Sequence, residues 1–325
     1  MTVPRIGVTL GDPGGVGPEI VLKALAGDHT LPTAAYVLFG NSQIIAGTAR
    51  ALDLRFGLEA WGPERAGEPG IFLSEIPFPA DDPAPARPDA RSGEASFRFF
   101  EAALEAARSG ALEAVVTAPV SKSAWKLAGI PWRGHTERLE SLYPGAVMSF
   151  WSEKLKVALL SHHLPLREAL GRVRRDILLD FFRALSRSTV RIRGGPREFL
   201  VAGLNPHAGE DGLLGGEEEG EIRPAVETAR EEGLNVSGPY PPDTVFRLAL
   251  GRPDVMVAAL YHDQGLVAFK LEAFESGVNA TLGLPFVRTS PDHGTAFDIA
   301  GRGVASPLSM VEAIRLAGRF TASAS

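Results

Sequence analysis

Three apolar runs in this 325-residue chain each end on a histidine set in a turn rich in glycine, proline and aspartate. Residues 157–160 lead into Ser161-His162-His163-Leu164-Pro165. Residues 199–202 lead into Asn205-Pro206-His207-Ala208-Gly209-Glu210, and residues 255–260 into Tyr261-His262-Asp263-Gln264-Gly265. Short apolar runs bounded by turn residues read as buried strands. In a parallel α/β sheet, ligands bind just beyond the carboxyl ends of such strands. Three imidazoles delivered there from distant positions can meet at one point, and neutral imidazole is the commonest metal-ligating side chain. The pattern predicts a divalent metal in a cleft. A single histidine in such a turn is more often a hydrogen-bonded turn residue, but the context occurs three times in a chain with seven histidines. Asp263, beside His262, supplies a carboxylate able to ligate, to orient the imidazole or to act as a base. With no cysteine in the chain, any metal must be held by nitrogen and oxygen.

Four further groups carry possible chemistry. Gly11-Asp12-Pro13-Gly14-Gly15-Val16-Gly17-Pro18-Glu19 links a strand to a helix start, where backbone N–H groups can face an anion. It matches neither the Rossmann nor the P-loop glycine spacing, so a tight structural turn and a ligand loop remain equal readings. Ala118-Pro119-Val120-Ser121-Lys122 and Gly134-His135-Thr136-Glu137 offer an imidazole, hydroxyls and a lysine suited to phosphate or carboxylate. The alternative for His135 and Thr136 is a helix start capped by Thr136. Lys270, Asn279 and Arg288 can converge on an anion, with arginine holding an oxyanion bidentately. Scattered surface residues are the simpler reading of those three. Asp292-His293-Gly294-Thr295-Ala296-Phe297-Asp298-Ile299-Ala300-Gly301 is a small-residue loop, read as entering a helix, that can stack on a planar ring and accept ribose hydroxyls.

Strand-like and helix-like segments alternate along the chain. Residues 5–10, 35–39 and 114–117 read as strands, while 18–25, 41–51, 92–109, 166–185, 217–232 and 306–316 read as helices. Ser92 is the expected cap of the third helix, and residues 77–92, rich in Pro, Asp and Ala, read as an irregular loop. The alternation predicts an α/β fold with a largely parallel sheet. The length predicts two lobes with a cleft between them, with no composition shift to mark the boundary.

The net charge of −6 is mild and no basic cluster stands out, so nucleic acid is not expected as a partner. No apolar stretch approaches the ~18 residues of a membrane span, and the short run at 6–10 is no signal peptide. The expected location is the cytoplasm.

Together these motifs resemble the 4-hydroxythreonine-4-phosphate dehydrogenase family of pyridoxal-phosphate biosynthesis. The resemblance spans nearly the whole chain, from the first glycine loop through Gly134-His135-Thr136-Glu137, His163-Leu164-Pro165-Leu166 and the later histidine motifs to the final loop. That final loop is also similar to the cofactor loop of isocitrate and isopropylmalate dehydrogenases, which bind NAD without a Rossmann fingerprint. The resemblance implies a two-lobed α/β/α fold with mostly parallel sheets and the active-site cleft between the lobes. It places 1–130 plus 280–325 in a first lobe with the cofactor loop, and 131–279 in a second with metal ligands and dimer contacts.

It further implies that His163, His207 and His262 hold a divalent metal such as Zn, Mg or Co. His163 is preferred over His162 because it directly precedes Leu-Pro-Leu, and adjacent side chains on an extended segment point to opposite sides. His135, Thr136, Lys270, Asn279 and Arg288 would bind substrate, and His293, Gly294, Thr295 and Asp298 would bind NAD or NADP. Asp263, Lys270 and Asp243 are the candidate bases. The implied assembly is a homodimer whose active site draws ligands from both subunits, acting on a small phosphorylated hydroxy acid. The implied reaction is metal-dependent oxidation and decarboxylation of 4-phosphooxy-L-threonine to 3-amino-2-oxopropyl phosphate. The alternatives are a paralogous dehydrogenase of a phosphorylated sugar acid (4-phospho-threonate or -erythronate), a three-histidine metal hydrolase, and a non-catalytic metabolite-binding protein.

Overall fold

A computed structural model describes residues 3–27, 29–65, 67–78, 86–192 and 194–321. The chain divides into two compact units: one formed by the sequence up to Leu142 together with the part from Leu284 onward, the other by Tyr143–Gly283. His135 and Thr136 fall in the first.

The first unit contains β1 (Arg5–Thr9), β2 (Ala35–Gly40), β3 (Glu59–Ala60), β4 (Gly70–Glu75), β5 (Ala114–Thr117) and, returning late in the chain, β12 (Val287–Pro291). They lie in the order β3-β4-β2-β1-β5-β12, every neighbouring pair parallel. β2 (Ala35–Gly40, AYVLFG) and β5 are buried along their whole length, and β1 and β12 at all but their first residue. A strand of a parallel sheet loses the polar alternation of a half-exposed strand because both its faces are covered. The second unit contains β6 (Val147–Trp151), β7 (Lys156–Leu159), β8 (Glu198–Ala202), β9 (Val236–Tyr240), β10 (Val255–Ala259) and β11 (Val278–Leu282). Here β7, β10, β8 and β9 run parallel in that spatial order, while β6 is antiparallel to both β7 and β11.

The core of the second unit forms where Leu159, Leu200 and Val257 of the sheet meet Leu266 and Phe269 of the helix His262–Ala273. Phe269 is fully buried, and burial of one such ring stabilises the fold by about 1.5–3 kcal/mol. Gly265 is fixed by that packing, since a Cβ there would meet Val157 and Leu159 at 2.8 Å.

Several segments differ from their sequence reading for local reasons. The helix expected to be capped by Ser92 starts earlier, at Ala90, because Asp89 accepts from the backbone N–H groups of Arg91 and Ser92. That start lies inside the expected loop 77–92, of which residues 79–85 lie outside the described residues. The helix expected over 166–185 is two helices, Leu166–Leu170 and Arg175–Thr189, parted at Gly171 and by the extended Arg174. The helix expected over 217–232 opens as a π-helix, Glu218–Ile222, and becomes α-helical over Arg223–Glu231. Pro224 explains the wider turn: it donates no backbone hydrogen bond, and its ring would crowd the carbonyl four residues back. The last helix, Leu308–Thr321, does not continue directly from the final loop, where Gly301 and Gly303 adopt positive φ. Among the described residues, no helix is long and apolar enough to cross a membrane.

Candidate functional site

Two sheet edges collect the residues singled out in the sequence. In the second unit the histidine turns follow β7, β8 and β10, which are adjacent and parallel, so all leave the sheet at one edge. Asp243 follows β9 at the same edge and is exposed. Hydrogen bonds tie the strand ends together. Ser161 donates to the Leu260 carbonyl at 2.8 Å, linking the ends of β7 and β10. The Gln264 side chain accepts from Leu260 N and donates to the Gly203 carbonyl, both at 2.7 Å, linking β10 to β8.

The His163 and His262 rings lie with centroids 5.7 Å apart, and the His162 ring lies 5.1 Å from that of His163. Among the described residues, no group of three or more His, Asp or Glu side chains is gathered closely enough to hold a metal ion. The chain thus pairs His163 with His262 but does not bring His207 into a three-ligand cluster with them. Asp263 Oδ1 lies 2.6 Å from His262 Nδ1, a contact that orients the imidazole through Nδ1 and does not involve Nε2. Lys270 is half-buried on the same helix, seven residues past Asp263 and so on the same helical face. Asn279 is half-buried on β11, opposite Phe150 of β6.

Two of the histidines sit on unusual backbone. His163 has φ +50°, and His207 begins six consecutive residues with positive φ, ending at Gly212. Four of the six are not glycine. A left-handed conformation costs an L-residue roughly 1–2 kcal/mol, and it occurs almost always singly. A strained turn persists only where its surroundings over-determine it. Here the fully buried Glu218 does so: its Oε1 accepts from Leu204 N and Asn205 N at 2.7 Å, and its Oε2 from Asn205 Nδ2 at 2.9 Å.

In the first unit the loops after β1, β5 and β12 also share one edge. Asp12 N donates to the Pro119 carbonyl and Val16 N to the Thr295 carbonyl, both at 2.9 Å. Gly15 is required, since a Cβ there would meet the Thr295 side chain and carbonyl at 2.8 Å. Thr295 is therefore a packing residue of the loop, while His293, Gly294 and Asp298 are exposed, with open space around Gly294. Asp12 is buried, and burial pushes its carboxyl above the ordinary range while the Gly14 amide opposes the shift. The glycine loop is thus knitted to the final loop by backbone contacts.

Arg288 on β12 is 4% exposed. Its Nη2 donates to Thr117 Oγ1 at 2.7 Å and lies 3.4 Å from His135 Nδ1. Burial pulls the guanidinium down to about 10, so it stays charged at neutral pH. His135 packs against Phe100 and Trp125 at centroid distances of 4.5 and 5.5 Å. Burial first, and the Arg288 charge second, hold it well below its ordinary 6.5, so it is neutral. Its Nε2 is buried and has no hydrogen-bond partner among the described residues. A buried cation beside a neutral imidazole with an unused ring nitrogen is suited to one anionic oxygen group. Because folding holds His135 neutral, acidification below 6.5 protonates the unfolded chain preferentially and lowers stability. The helix His135–Leu142 begins at His135 itself, so Thr136 is half-buried within its first turn and is not its cap.

The structure therefore brings His135 together with Arg288, and His163 with His262. Lys270 and Asn279 belong to the second unit and Arg288 to the first. Thr117, Gln264 and Glu218 were not singled out by sequence reasoning. Gln264 lay inside a quoted histidine turn, and Glu218 near the start of the helix expected over 217–232.

An α/β chain with histidine turns on one parallel edge and a buried guanidinium–imidazole pair near another defines a class: an enzyme-like scaffold for a small anionic ligand. Comparison with known proteins is more specific. The chain belongs to the PdxA family of pyridoxal phosphate biosynthetic proteins, matched over residues 32–317. It is 42% identical to a 4-hydroxythreonine-4-phosphate dehydrogenase of Xanthobacter autotrophicus, over 96% of this chain and 92% of that one. It is 40% identical to a Symbiobacterium thermophilum protein provisionally named D-threonate 4-phosphate dehydrogenase, over 99% of this chain and 98% of that one. The crystal structure of 4-hydroxythreonine-4-phosphate dehydrogenase from Klebsiella pneumoniae superposes with a TM-score of 0.88 at 40% identity, covering 98% of each chain.

Proposed function

We propose that this chain is a cytoplasmic dehydrogenase that oxidises and decarboxylates 4-phosphooxy-L-threonine, with NAD or NADP as hydride acceptor and a divalent metal at the histidine edge. The observation that carries the proposal is the set of histidine turns on three adjacent parallel strands, in a chain 42% identical to a dehydrogenase of that name. The donor set suits a borderline metal such as Zn or Co: imidazoles and a carboxylate, with two rings already paired and no sulfur. His163, His207 and His262 are its proposed ligands. When bound, the metal acts as a Lewis acid that lowers the pKa of the substrate hydroxyl and polarises the carbonyl that replaces it.

The remaining roles belong to the chain. Arg288 and His135 hold the phosphate of the substrate, which fixes C3 for hydride transfer, and Thr136, Lys270 and Asn279 complete the substrate contacts. Placement matters because an error of ~1 Å can cost ~100-fold in rate. Asp263, Lys270 or Asp243 accepts the hydroxyl proton as C3 is oxidised, and a dinucleotide held by the final loop would supply the nicotinamide that takes the hydride. Asp263 already spends one oxygen on His262, which favours an orienting role for it and leaves Lys270 and Asp243 as the better-placed candidates for the base. The C1–C2 bond then breaks with release of CO2, and protonation at C2 gives 3-amino-2-oxopropyl phosphate. His293, Gly294 and Asp298 are open to a dinucleotide, while Thr295 anchors their loop.

The proposed assembly is a homodimer that shares this site. Val267, Leu271 and Phe274 are 62%, 86% and 77% exposed, spaced i, i+4 and i+7 along the helix His262–Ala273 and its C-cap, Phe274. An exposed apolar stripe of this kind marks an interaction face. A second copy covering it would approach the paired histidines and bring its own ligands.

A phosphorylated sugar acid is the second reading, favoured by 40% identity to the protein provisionally named D-threonate 4-phosphate dehydrogenase. The test is NAD(P)H formation with 4-phosphooxy-L-threonine and with 4-phospho-D-threonate in parallel. A kcat/KM at least ~10-fold higher for the amino substrate, a difference of ~1.4 kcal/mol, is expected. Turnover of the sugar acid alone would reassign the substrate.

A further inference from the structure

We infer that Glu218 is a positioning residue for His207: a buried carboxylate that clamps the left-handed turn on which this proposed metal ligand stands. The inference rests on the reading of His207 as a ligand and deepens it.

Turns that carry ligands are ordinarily held by glycines. Here four of the six residues from His207 to Gly212 are not glycine, so their left-handed backbone needs support from outside the run. Glu218 is placed to impose it. It is fully buried at the start of the π-helix Glu218–Ile222, and it accepts both backbone N–H groups just before the turn, those of Leu204 and Asn205. Its second oxygen accepts from Asn205 Nδ2, which also donates to Glu217 Oε2 at 2.8 Å. A Cβ on Gly209 would meet Glu218 Oε2 at 2.8 Å, so the far side of the turn is packed directly on the carboxylate. At its start the turn is also closed by Ala208 N, which donates to the Asn205 carbonyl at 3.1 Å.

The carboxylate has no cationic partner in any of these contacts. Three N–H donors in place of an arginine or lysine are the arrangement of a charge used to organise backbone. The wider π-turn sets this residue apart from the α-helix that follows, and π-turns occur frequently at functional sites. Residues that orient a metal ligand without touching the metal typically alter metal affinity 10–100-fold when changed.

The test uses the full-length protein, stripped of metal and titrated with Co2+ alone, with the Glu218→Gln and Glu218→Ala variants beside it. Glu218→Gln keeps the shape but sets an amide donor against Asn205 Nδ2; Glu218→Ala removes every bond. The expected result is Co2+ affinity reduced about 10-fold in Glu218→Gln and about 100-fold in Glu218→Ala. Faster amide hydrogen exchange confined to residues 203–214 should accompany both losses. Should Glu218→Ala fail to fold, Glu218→Gln carries the test alone. Unchanged Co2+ affinity and exchange in a folded variant overturns the inference, and is decisive provided His207→Asn does abolish binding. Loss of Co2+ binding with no change of exchange at 203–214 also overturns it, since the carboxylate would then act on the metal directly. If the unaltered protein binds no Co2+, the metal reading itself fails and takes the inference with it.

Discussion

Replacing His207 with alanine is expected to abolish metal binding and to lower kcat/KM by about 1,000-fold or more, while the protein remains folded. The magnitude follows from the several kcal/mol that a Lewis-acid metal contributes to stabilising developing charge, each ~1.4 kcal/mol being tenfold in rate. Survival of the fold follows from exposure: His207 lies outside the apolar core formed by Leu159, Leu200, Val257 and Phe269. One complication is the backbone, because alanine tolerates φ +53° less readily than histidine. His207→Asn addresses this, since asparagine adopts the left-handed region with little strain. Both variants should fail equally in metal titration and in turnover, with thermal unfolding unchanged for His207→Asn. Full activity in either would remove His207 from the site.

The second large effect is expected at Arg288. Arg288→Met should raise KM for the phosphorylated substrate about 100-fold, ~2.7 kcal/mol, with a much smaller change in kcat. The guanidinium offers charge-assisted hydrogen bonds that a thioether does not. Arg288→Lys should rescue poorly, because a point charge replaces a planar fork already aligned by Thr117. Arg288→Met should unfold at an equal or higher temperature. Burial lowers the pKa of Arg288 to about 10, so its charged form is disfavoured by folding, and that penalty persists at every pH below about 10. A residue that lowers stability while binding substrate is a common feature of functional sites. Steady-state kinetics and a thermal melt decide the matter, and an unchanged KM would exclude Arg288 from the phosphate site.

What the sequence could reveal followed from how local each signal is. Buried parallel strands are apolar throughout, so Ala35–Gly40 and Val255–Ala259 were legible from composition alone. Their neighbours on either side were not, because strand order depends on pairing between distant segments. The shared edge of the three histidine turns follows from that order, β7-β10-β8, and only the structure supplies it. Arg288 illustrates the same limit. By sequence it was one of three scattered polar residues, whereas its proximity to His135 spans 153 positions. Caps were legible in kind but not in place: Asp89 outcompetes Ser92 because it stands one turn earlier. Glu218 was hidden for another reason, since an acidic run gives no sign of which member turns inward to bind backbone.

The measurement that bears most directly on this account is NADH formation with 4-phosphooxy-L-threonine, followed through exhaustive chelation and restoration with Zn2+, Co2+ or Mg2+. The account predicts turnover with release of CO2, its loss on chelation without unfolding, and its return with at least one of the metals. Undiminished turnover by fully metal-depleted protein would contradict it, because the histidine edge would then have no part in the chemistry.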